Sequence, residues 1–356
     1  MKVGIFHTAF LGDLVLASLL IEGLFLEGHE IFLITKSLAA QFYKDDKRIK
    51  RIIVINKGKG IQKLNAVFAI AKTVSSLELD VLLVPHKSMT TSLIVLMSKV
   101  KNKIGFVDTS LSNVYTHLQK FNQEKHESLR CLDIAPEWLI SIKVHNELIK
   151  LSRPIIYGNN NLEVFLKNNP NFFQDKKPFF IVSPGSVWAT KKYPAKHFAS
   201  LIEQVLLLNK DIRCVLSGGP QDQIDIKNVL ANIKNSLNLN RIFDTSNYLP
   251  LNEFTNLVAL SSFVVANDSS PVHVASGLNI PVIAIYGPTS WKFGFYPTSE
   301  KSIYVNYKDA QGNLLPCHPC SPHGTKHCPK KHFKCMEALS SDILLQSIKT
   351  LVPQLF

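Results

Sequence analysis

The stretch that decides the fold is FVVANDSSPVHVASGLNIPVIAIYGPT, residues 263–289. An apolar β-branched run ends in a polar Asn-Asp-Ser-Ser-Pro turn, which is followed by a short helical segment carrying His273 and by a second apolar run. This alternation predicts a strand–helix–strand unit with parallel strands. Hydroxyls and backbone N–H groups at a helix start beside a strand end favour an anion site, although the same residues fit an ordinary capped helix. The candidate cap residues are Asp268, Ser269 and Ser270.

Length and composition indicate a two-domain globular protein. A chain of 356 residues is more typical of two domains than of one, and a hydrophobic content of 46% is enough to fill two cores. A charged fraction of 19% excludes the disordered class. The 40 Lys and Arg against 27 Asp and Glu give a net charge of +13. This excess leaves nucleic acid, an anionic membrane surface and a phosphorylated substrate as candidate partners.

Neither a membrane span nor a signal peptide is evident. The most apolar stretch, Leu14 to Leu26, is interrupted by Glu22 and is too short to span a bilayer. The first six residues lead directly into a strand, without the basic, apolar and cleavage regions of a signal peptide. We therefore expect a cytoplasmic protein, in which six cysteines are more typical of thiols or metal ligands than of disulfides.

Strand-like and helix-like runs alternate in two halves of the chain, which predicts two α/β domains with parallel sheets and a cleft between them. We expect the domains at 1–155 and 175–340, joined by the proline-marked segment 153–178. Residues 341–356 are expected to form a helix that packs back on the N-terminal domain. The predicted strands are Val3–His7, Ile31–Thr35, Ile52–Ile55, Val81–Pro85, Ile104–Phe106, Phe179–Val182 and Arg213–Leu216, and the predicted helices are Asp13–Leu26, Ile61–Ser75, Ala195–Leu208 and Ser340–Leu351.

Asp13 is the candidate catalytic residue. It follows Gly12 at the start of a helix, just after the first predicted strand, where ligands bind in open α/β sheets. A carboxylate at this point also complements the helix dipole, which is the purely structural alternative. Its functional interpretation is a general base that takes a proton from an attacking hydroxyl.

The loop at 183–194, SPGSVWATKKYP, is the second candidate segment. Gly185 permits close approach of the backbone to a ligand, hydroxyls can bond phosphate oxygens and a lysine supplies charge. A solvated loop with incidental lysines is the alternative. The predicted phosphate ligands in this loop are Ser183, Ser186, Thr190 and Lys191.

A glycine pair, Gly218-Gly219, follows another predicted strand and indicates backbone close to a base or ribose, although turns commonly have this sequence. No G-x-G-x-x-G follows the first strand, and no G-x-x-x-x-G-K-[ST] occurs. Both absences disfavour nicotinamide-dependent redox chemistry and P-loop hydrolysis.

Together these segments resemble glycosyltransferase family 9, the lipopolysaccharide heptosyltransferases. The resemblance rests on Leu11-Gly12-Asp13, on Pro184-Gly185 with Thr190-Lys191-Lys192-Tyr193-Pro194, and on the segment from Asn267 to Ala275 before Gly287-Pro288-Thr289. These three motifs stand in the family's order and extend from residue 11 to residue 289. In two places the chain departs from the family pattern: Ser270 replaces the usual glycine, and either Gln221 or Asp222 stands where some members carry a ribose-contacting acid.

The resemblance implies a GT-B fold of two Rossmann-like domains, with parallel sheets facing a central cleft. It implies inverting, metal-independent transfer of a heptose from ADP-heptose to a lipid-anchored lipopolysaccharide inner-core acceptor. By the same resemblance Asp13 matches the base, Lys191 and Thr190 match the diphosphate contacts, and the second domain binds the donor. The remaining donor-binding residues are Ser183, Ser186, Gly218, Gly219, Asp268, Ser269, Ser270 and His273. We expect a monomer that needs no cofactor for catalysis.

Basic residues crowd one part of the first domain. A solvated surface explains them, but attraction to a phosphorylated lipid acceptor at the inner face of the inner membrane is the sharper hypothesis. Nucleic acid is disfavoured because no aromatic-interleaved basic motif is present. The cluster comprises Lys44, Lys47, Arg48, Lys50, Arg51, Lys57, Lys59 and Lys63, of which Lys44 to Arg51 are the predicted acceptor-facing residues.

A histidine-rich stretch near the C-terminus holds four cysteines whose spacing is typical of metal ligands. A structural zinc or iron–sulfur cluster and a metal-free thiol-rich loop are both open. The four candidates are Cys317, Cys320, Cys328 and Cys335.

The leading hypothesis is therefore an enzyme, a heptosyltransferase. The alternatives are a related transferase that uses another nucleotide sugar, and a non-catalytic sugar-nucleotide-binding protein. A nucleic-acid-binding protein is a third alternative, which salt-sensitive duplex binding would identify.

Overall fold

The computed structural model describes residues 1–58 and 62–356, which form two compact units, Met1–Ile155 and Ile156–Phe356. The end of the first unit coincides with the expected domain boundary. The second unit begins earlier than expected, because the segment before residue 175 is anchored to it. Ile156 N–H donates to the Gly277 carbonyl at 3.2 Å, and the Asn159 N–H donates to the Asn256 side chain at 2.7 Å.

The first unit contains one six-stranded parallel sheet in the order β3-β2-β1-β4-β5-β6. Its buried apolar runs form the strands, and helices connect them. The elements are β1 Lys2–Phe6, α1 Leu11–Leu16, α2 Ser18–Leu26, β2 Glu30–Thr35, α3 Ser37–Phe42, β3 Ile49–Val54, α4 Gln62–Ser76, β4 Val81–Leu83, α5 Met89–Met97, β5 Asn102–Phe106, β6 His117–Gln119, α6 Glu127–Leu132 and α7 Ile142–Leu151.

The second unit repeats this topology with a parallel sheet in the order β9-β8-β7-β10-β11-β12. Counted from its own first strand, the order is the same as in the first unit. Its elements are α8 Glu163–Asn168, β7 Phe179–Ser183, α9 Ala195–Leu208, β8 Arg213–Leu216, α10 Gln223–Ala231, β9 Ile242–Asp244, α11 Leu251–Leu260, β10 Val264–Asn267, α12 Ser270–Gly277, β11 Val282–Tyr286, β12 Ser302–Asn306, α13 Lys334–Glu337 and α14 Ser341–Leu351.

One predicted helix is divided in the structure. The run predicted at 13–26 forms α1 and α2, with Ala17 between them. Beside this break the buried Tyr43 hydroxyl donates to the Leu14 carbonyl at 2.6 Å, so that carbonyl has a partner outside the helix. The helix predicted from Ile61 is observed from Gln62, and Ile61 itself lies outside the described residues.

The C-terminal helix α14 belongs to the second unit. Its apolar residues Leu344, Ile348 and Leu351 lie in the same core as the face of α9 and the strands of the second sheet. Gln204 on α9 donates to the Asp342 carboxylate at 2.6 Å. The apolar face of this helix therefore fills the core of the second unit, and its expected packing on the N-terminal domain stays a prediction. Among the described residues no helix has both the length and the apolar character needed to cross a bilayer.

Candidate active site

The predicted site segments follow strands at the points where the strand order reverses. In the first sheet this switch point lies between β1 and β4, and in the second between β7 and β10. In open α/β sheets, ligands bind at the carboxyl ends of the strands on either side of such a point. Asp13 lies in the first turn of α1, after β1. Segment 184–194 follows β7, and Asp268 follows β10.

Lys191 and Asp268 meet across the second switch point. The Lys191 ammonium lies 2.6 Å from Oδ2 of Asp268, and the two side chains are only 13% and 8% exposed. The Thr289 hydroxyl donates to the same carboxylate oxygen at 2.7 Å. An ammonium has three donor hydrogens, so Lys191 can keep this contact and bind an anion as well. Asp268 therefore positions the lysine, a role that its place in the sequence motif did not reveal.

Asn267 fixes the loop that carries Lys191. Its buried amide donates to the Pro184 carbonyl at 2.7 Å and accepts from the Tyr193 N–H at 3.0 Å. Both ends of the 184–193 loop are thus attached to the end of β10. Sequence reasoning did not assign Asn267 a role, although an amide at the end of a buried apolar strand needs such partners.

Thr190 is attached to the cysteine-containing segment. Its hydroxyl donates to the Thr325 carbonyl at 2.9 Å and accepts from the Thr325 N–H at 2.8 Å. Next to this contact, a Cβ on Gly324 would lie 2.8 Å from Cβ of Trp188 and 3.1 Å from Cγ of Lys191. The hydroxyl predicted to bond phosphate thus has backbone partners, and the segment around Thr325 packs directly against the lysine loop.

The predicted serines lie at the strand end and at the start of α12. The Ser183 hydroxyl is buried and has no hydrogen-bond partner among the described residues. Ser186 accepts weakly from the Trp188 N–H at 3.4 Å, and Ser269 donates to the Asn267 carbonyl at 3.1 Å. Ser270 is the first residue of α12, where a right-handed helical backbone accepts a Cβ. Its departure from the family glycine is therefore compatible with the local backbone.

His273 lies inside α12 and is only 4% exposed. Burial, and then the charge of Lys191, lowers the pKa of His273 to about 3. The imidazole is consequently neutral at neutral pH, and it can donate and accept hydrogen bonds without carrying a charge. Its Nδ1 has no hydrogen-bond partner among the residues that the structure describes.

Gly185 and Gly218 lie close to the side chain of Asp222. A Cβ on Gly185 would lie 2.3 Å from Cγ of Asp222, and one on Gly218 would lie 2.7 Å from its Cβ. The Gly219 N–H donates to the Asp222 carboxylate at 2.9 Å, and burial raises the pKa of this acid. Gly185 and Gly218 are therefore required by the side chain of Asp222, whereas a Cβ on Gly219 would meet the side chain of Gln221. Gln221, the other candidate for the ribose-contacting acid, is exposed.

Asp13 is half-buried, and its carboxylate accepts from the Phe10 N–H at 3.1 Å. This hydrogen bond is expected if Asp13 only stabilises the start of α1, and it also fixes the orientation of the carboxylate. Burial raises the pKa of the nearby Glu127, and the charge of Asp13 raises it further. The buried Arg130 donates to Glu127 at 3.0 Å. Asp13 is thus part of a charged network on α1 and α6.

The basic cluster of the first unit requires one correction. Lys44, Lys47, Lys50 and Arg51 are exposed, but Arg48 is only 4% exposed. Its guanidinium lies 2.8 Å from Glu22 and 2.6 Å from Asp46, because a buried charge needs carboxylate partners. Arg48 is therefore an internal ion-pair residue and does not face a lipid acceptor. Lys59 and the side chain of Lys63 lie outside the described part of the chain.

All six cysteines are thiols. Burial, and then neighbouring cysteines, raise the pKa of Cys320 to about 11 and that of Cys335 to about 12. Burial also raises the pKa of Cys328, but backbone N–H donors outweigh it and the net direction is downward. Cys317 lies 3.8 Å from the His332 ring. Within the described residues, no group of three or more His, Cys, Asp or Glu side chains has the arrangement of a metal site.

Two Rossmann-like α/β domains, each with polar residues at its switch point, give this chain the GT-B fold. The model of glycosyltransferase family 9 (heptosyltransferase) matches residues 67–333, which is more than half of the chain. The chain belongs to glycosyltransferase family 9, and the resemblance found in its sequence is confirmed.

Relatives and solved structures agree with this assignment. Lipooligosaccharide heptosyltransferase 2 of Campylobacter jejuni subsp. jejuni serotype O:6 is 24% identical over 267 residues, which are 72% of this chain and 77% of that protein. The structure of Escherichia coli ADP-heptose lipopolysaccharide heptosyltransferase II aligns with a TM-score of 0.78 at 18% identity, covering 99% of each chain. Escherichia coli heptosyltransferase WaaC with ADP aligns with a TM-score of 0.68 at 16% identity, covering 98% of this chain and 99% of that one.

Proposed function

We propose that this protein transfers a heptose from ADP-heptose to an acceptor of the lipopolysaccharide inner core, with inversion and without a metal ion in the transfer step. The observation that carries the proposal is the Lys191–Asp268 pair at the switch point of the second unit, held by Asn267. Family membership and the heptosyltransferase activity of the relatives support the choice of donor and acceptor.

In this proposal the second unit binds the donor. Lys191 and the start of α12 at Ser269 and Ser270 bind the diphosphate, where negative charge grows as the leaving group departs. Preorganised donors at this position stabilise the transition state more than the ground state. Asp222, held among the glycines, contacts the ribose hydroxyls. The charge of Lys191 supplies the electrostatic stabilisation that a divalent ion would otherwise provide.

Asp13 of the first unit acts as the general base. The acceptor hydroxyl attacks the anomeric carbon, the new C–O bond forms as the bond to the diphosphate breaks, and ADP leaves with the bonding electrons. The hydroxyl proton passes to the Asp13 carboxylate. A single displacement of this kind inverts the anomeric configuration.

The first test compares nucleotide sugars. ADP-heptose should raise the melting temperature more than UDP- and GDP-sugars at equal concentration, because stabilisation follows RT ln(1 + [L]/Kd). Product formation with an inner-core acceptor should then show the inverted linkage by NMR. Stronger stabilisation by another nucleotide would instead identify a related transferase, and donor binding without any product would identify a non-catalytic binder.

The second test addresses metals. We expect turnover to be unchanged by EDTA and by added Mg²⁺. A loss of activity in EDTA that Mg²⁺ restores would contradict metal-independent transfer. Elemental analysis of protein purified without chelator tests separately for zinc or iron at the four C-terminal cysteines.

We further propose that the exposed basic residues of the first unit attract the protein to the cytoplasmic face of the inner membrane, where its acceptor is anchored. Anionic surfaces attract each nearby basic residue by about 1 kcal/mol. Replacing Lys44, Lys47, Lys50 and Arg51 by Gln should reduce co-sedimentation with anionic vesicles. Replacing the exposed Lys167, Lys210, Lys227 and Lys234 of the second unit removes the same charge and should have a smaller effect. Equal losses in both variants would contradict the proposed surface.

A further inference from the structure

Four cationic or imidazole side chains come together at the carboxyl edge of the first sheet. His7 follows β1 directly, Lys36 follows β2 directly, and Lys57 and His86 come shortly after β3 and β4. These strands are neighbours in the order β3-β2-β1-β4, and all of them are parallel. Their carboxyl ends therefore lie along one edge, on both sides of the switch point.

Contacts among these side chains support the grouping. The His7 and His86 rings are stacked, with centroids 6.1 Å apart and planes inclined by 21°. Lys57 donates to the buried Thr91 hydroxyl at 2.7 Å and lies 5.5 Å from the Phe6 ring. The cluster is thus anchored on β1 and α5.

The charges in this cluster have one sign. Among the described residues, the positive charges of Lys57 and Lys36 lower the pKa of both His7 and His86, and His86 lowers the pKa of His7 further when it is itself protonated. Together with burial, the larger cause in each case, these neighbours lower the pKa of His7 to about 3 and that of His86 to about 4. The imidazoles are therefore neutral near lysine ammonium groups.

His7 also carries a polar atom that calls for a partner. The residue is 3% exposed, and its Nδ1 has no hydrogen-bond partner among the residues that the structure describes. Such atoms are rare in folded proteins and mark functional positions when they lie at a site edge. A ligand with negative oxygen atoms would satisfy this nitrogen and offset the charges of Lys36 and Lys57.

We propose that His7, Lys36, Lys57 and His86 form an anion subsite that binds a phosphate or carboxylate group of the acceptor sugar. The proposal rests on the proposed transferase function. His7 lies in the connection from β1 to α1 and Asp13 lies in the first turn of α1, so an anionic group bound here would hold the acceptor near the general base. Neutral imidazoles donate hydrogen bonds to the anion, while the two lysines supply the charge.

The first experiment detects anion binding without turnover. Imidazole resonances of the full-length protein are followed by NMR during titration with inorganic phosphate and, separately, with acetate. We expect the His7 and His86 signals to shift in the wild type and in a Lys143→Gln/Lys150→Gln control, in which two exposed lysines of α7 are replaced. In Lys36→Gln/Lys57→Gln the half-saturating concentration should rise about ten- to hundred-fold, as for the loss of charged hydrogen bonds. Unchanged titrations in this variant would overturn the subsite. The anion that binds more tightly to the wild type, phosphate or acetate, identifies the group that the subsite prefers.

The second experiment measures transfer to matched acceptors. With an intact acceptor, Lys36→Gln/Lys57→Gln should raise the acceptor KM about ten-fold or more, while the donor KM stays constant. Two modified acceptors are then compared, one without its phosphate and one with methylated carboxyl groups. Wild type and variant should have the same KM for the acceptor that lacks the anionic group bound by the subsite. If the difference persists with both acceptors, the subsite is wrong. If wild-type protein fails to transfer heptose but still shows the phosphate-dependent shifts, the proposed function fails and the subsite stands.

Discussion

The two units have the same strand order, yet the charges at their switch points are arranged differently. In the second unit Lys191 has an internal counterion in Asp268, and hydrogen bonds from Asn267 and Thr190 hold its loop. In the first unit two stacked, neutral imidazoles lie near Lys36 and Lys57, whose positive charges lower the pKa of both rings. A paired lysine is fixed in position before its ligand binds, whereas a cluster of like charge is stabilised by the ligand itself. One fold thus supports two proposed sites, a preorganised donor site and a ligand-completed acceptor site.

The largest expected effect comes from Asp13, which assigns proton transfer to the first unit. Asp13→Asn keeps the shape of the side chain but removes its basicity, so kcat should fall about 10²- to 10⁴-fold. The dissociation constant for ADP-heptose, measured by calorimetry, should stay within about two-fold of the wild-type value. Turnover close to wild type would leave Asp13 with only its helix-start role.

The second prediction concerns the paired lysine of the second unit. Lys191→Ala should weaken ADP-heptose binding about ten- to hundred-fold, because a charged contact to the diphosphate is lost. Lys192→Ala is the matched control, since that neighbouring lysine pairs with Asp225 at 2.6 Å instead of Asp268. Similar dissociation constants for the two variants would contradict the special position of Lys191.

The third prediction concerns Gly324, which packs against the loop that carries Lys191, and its expected effect is smaller. In Gly324→Ala the new methyl group would press on Trp188 and Lys191, so donor affinity should fall several-fold without any lost ligand contact. Gly312→Ala provides the control, because Gly312 has a similar positive φ but no atom within 4 Å of a built Cβ. Both variants store backbone strain of about 1–2 kcal/mol, so only a difference in donor affinity between them supports the prediction.

The last prediction concerns stability and pH in the first unit, and it leaves the affinity for the donor unchanged. The pKa of His7 in the folded protein is about 3, below its unfolded value near 6.5, so the unfolded chain binds more protons between these values. This residue therefore lowers stability as the pH falls from about 6.5 toward 3. Near pH 5, His7→Gln should reduce the slope of the free energy of unfolding of the first unit against pH by about 1.4 kcal/mol per pH unit. Chemical denaturation from pH 4.5 to 7.5 measures this slope, and parallel curves would contradict the assignment.

Local sequence patterns predicted most of the two sheets. Helix Ala195–Leu208 and strand Arg213–Leu216 have the bounds that were expected, because apolar periodicity and β-branched runs are local signals. The division of the helix at Ala17 was not predicted; beside it the Leu14 carbonyl accepts a hydrogen bond from Tyr43, a residue in a distant segment that no local pattern brings to this point.

The site was predicted by residue type but not by role. Lys191 and Asp268 were both assigned to donor binding, but their direct pairing joins residues far apart in the chain and has no local signal. Arg48 was misassigned for the same reason, because its partner Glu22 lies on another element. His7 and His86 follow different strands, so their stacking became evident only from the strand order.

The packing of α14 has a consequence for synthesis of the protein. Leu344, Ile348, Leu351 and Val352 contribute to the core that also contains α9 and the central strands of the second sheet. During translation the first unit can fold while the second is still emerging, but the second unit can complete its core only after α14 has left the ribosome. A nascent chain should therefore acquire the proposed nucleotide-sugar affinity only once α14 has emerged.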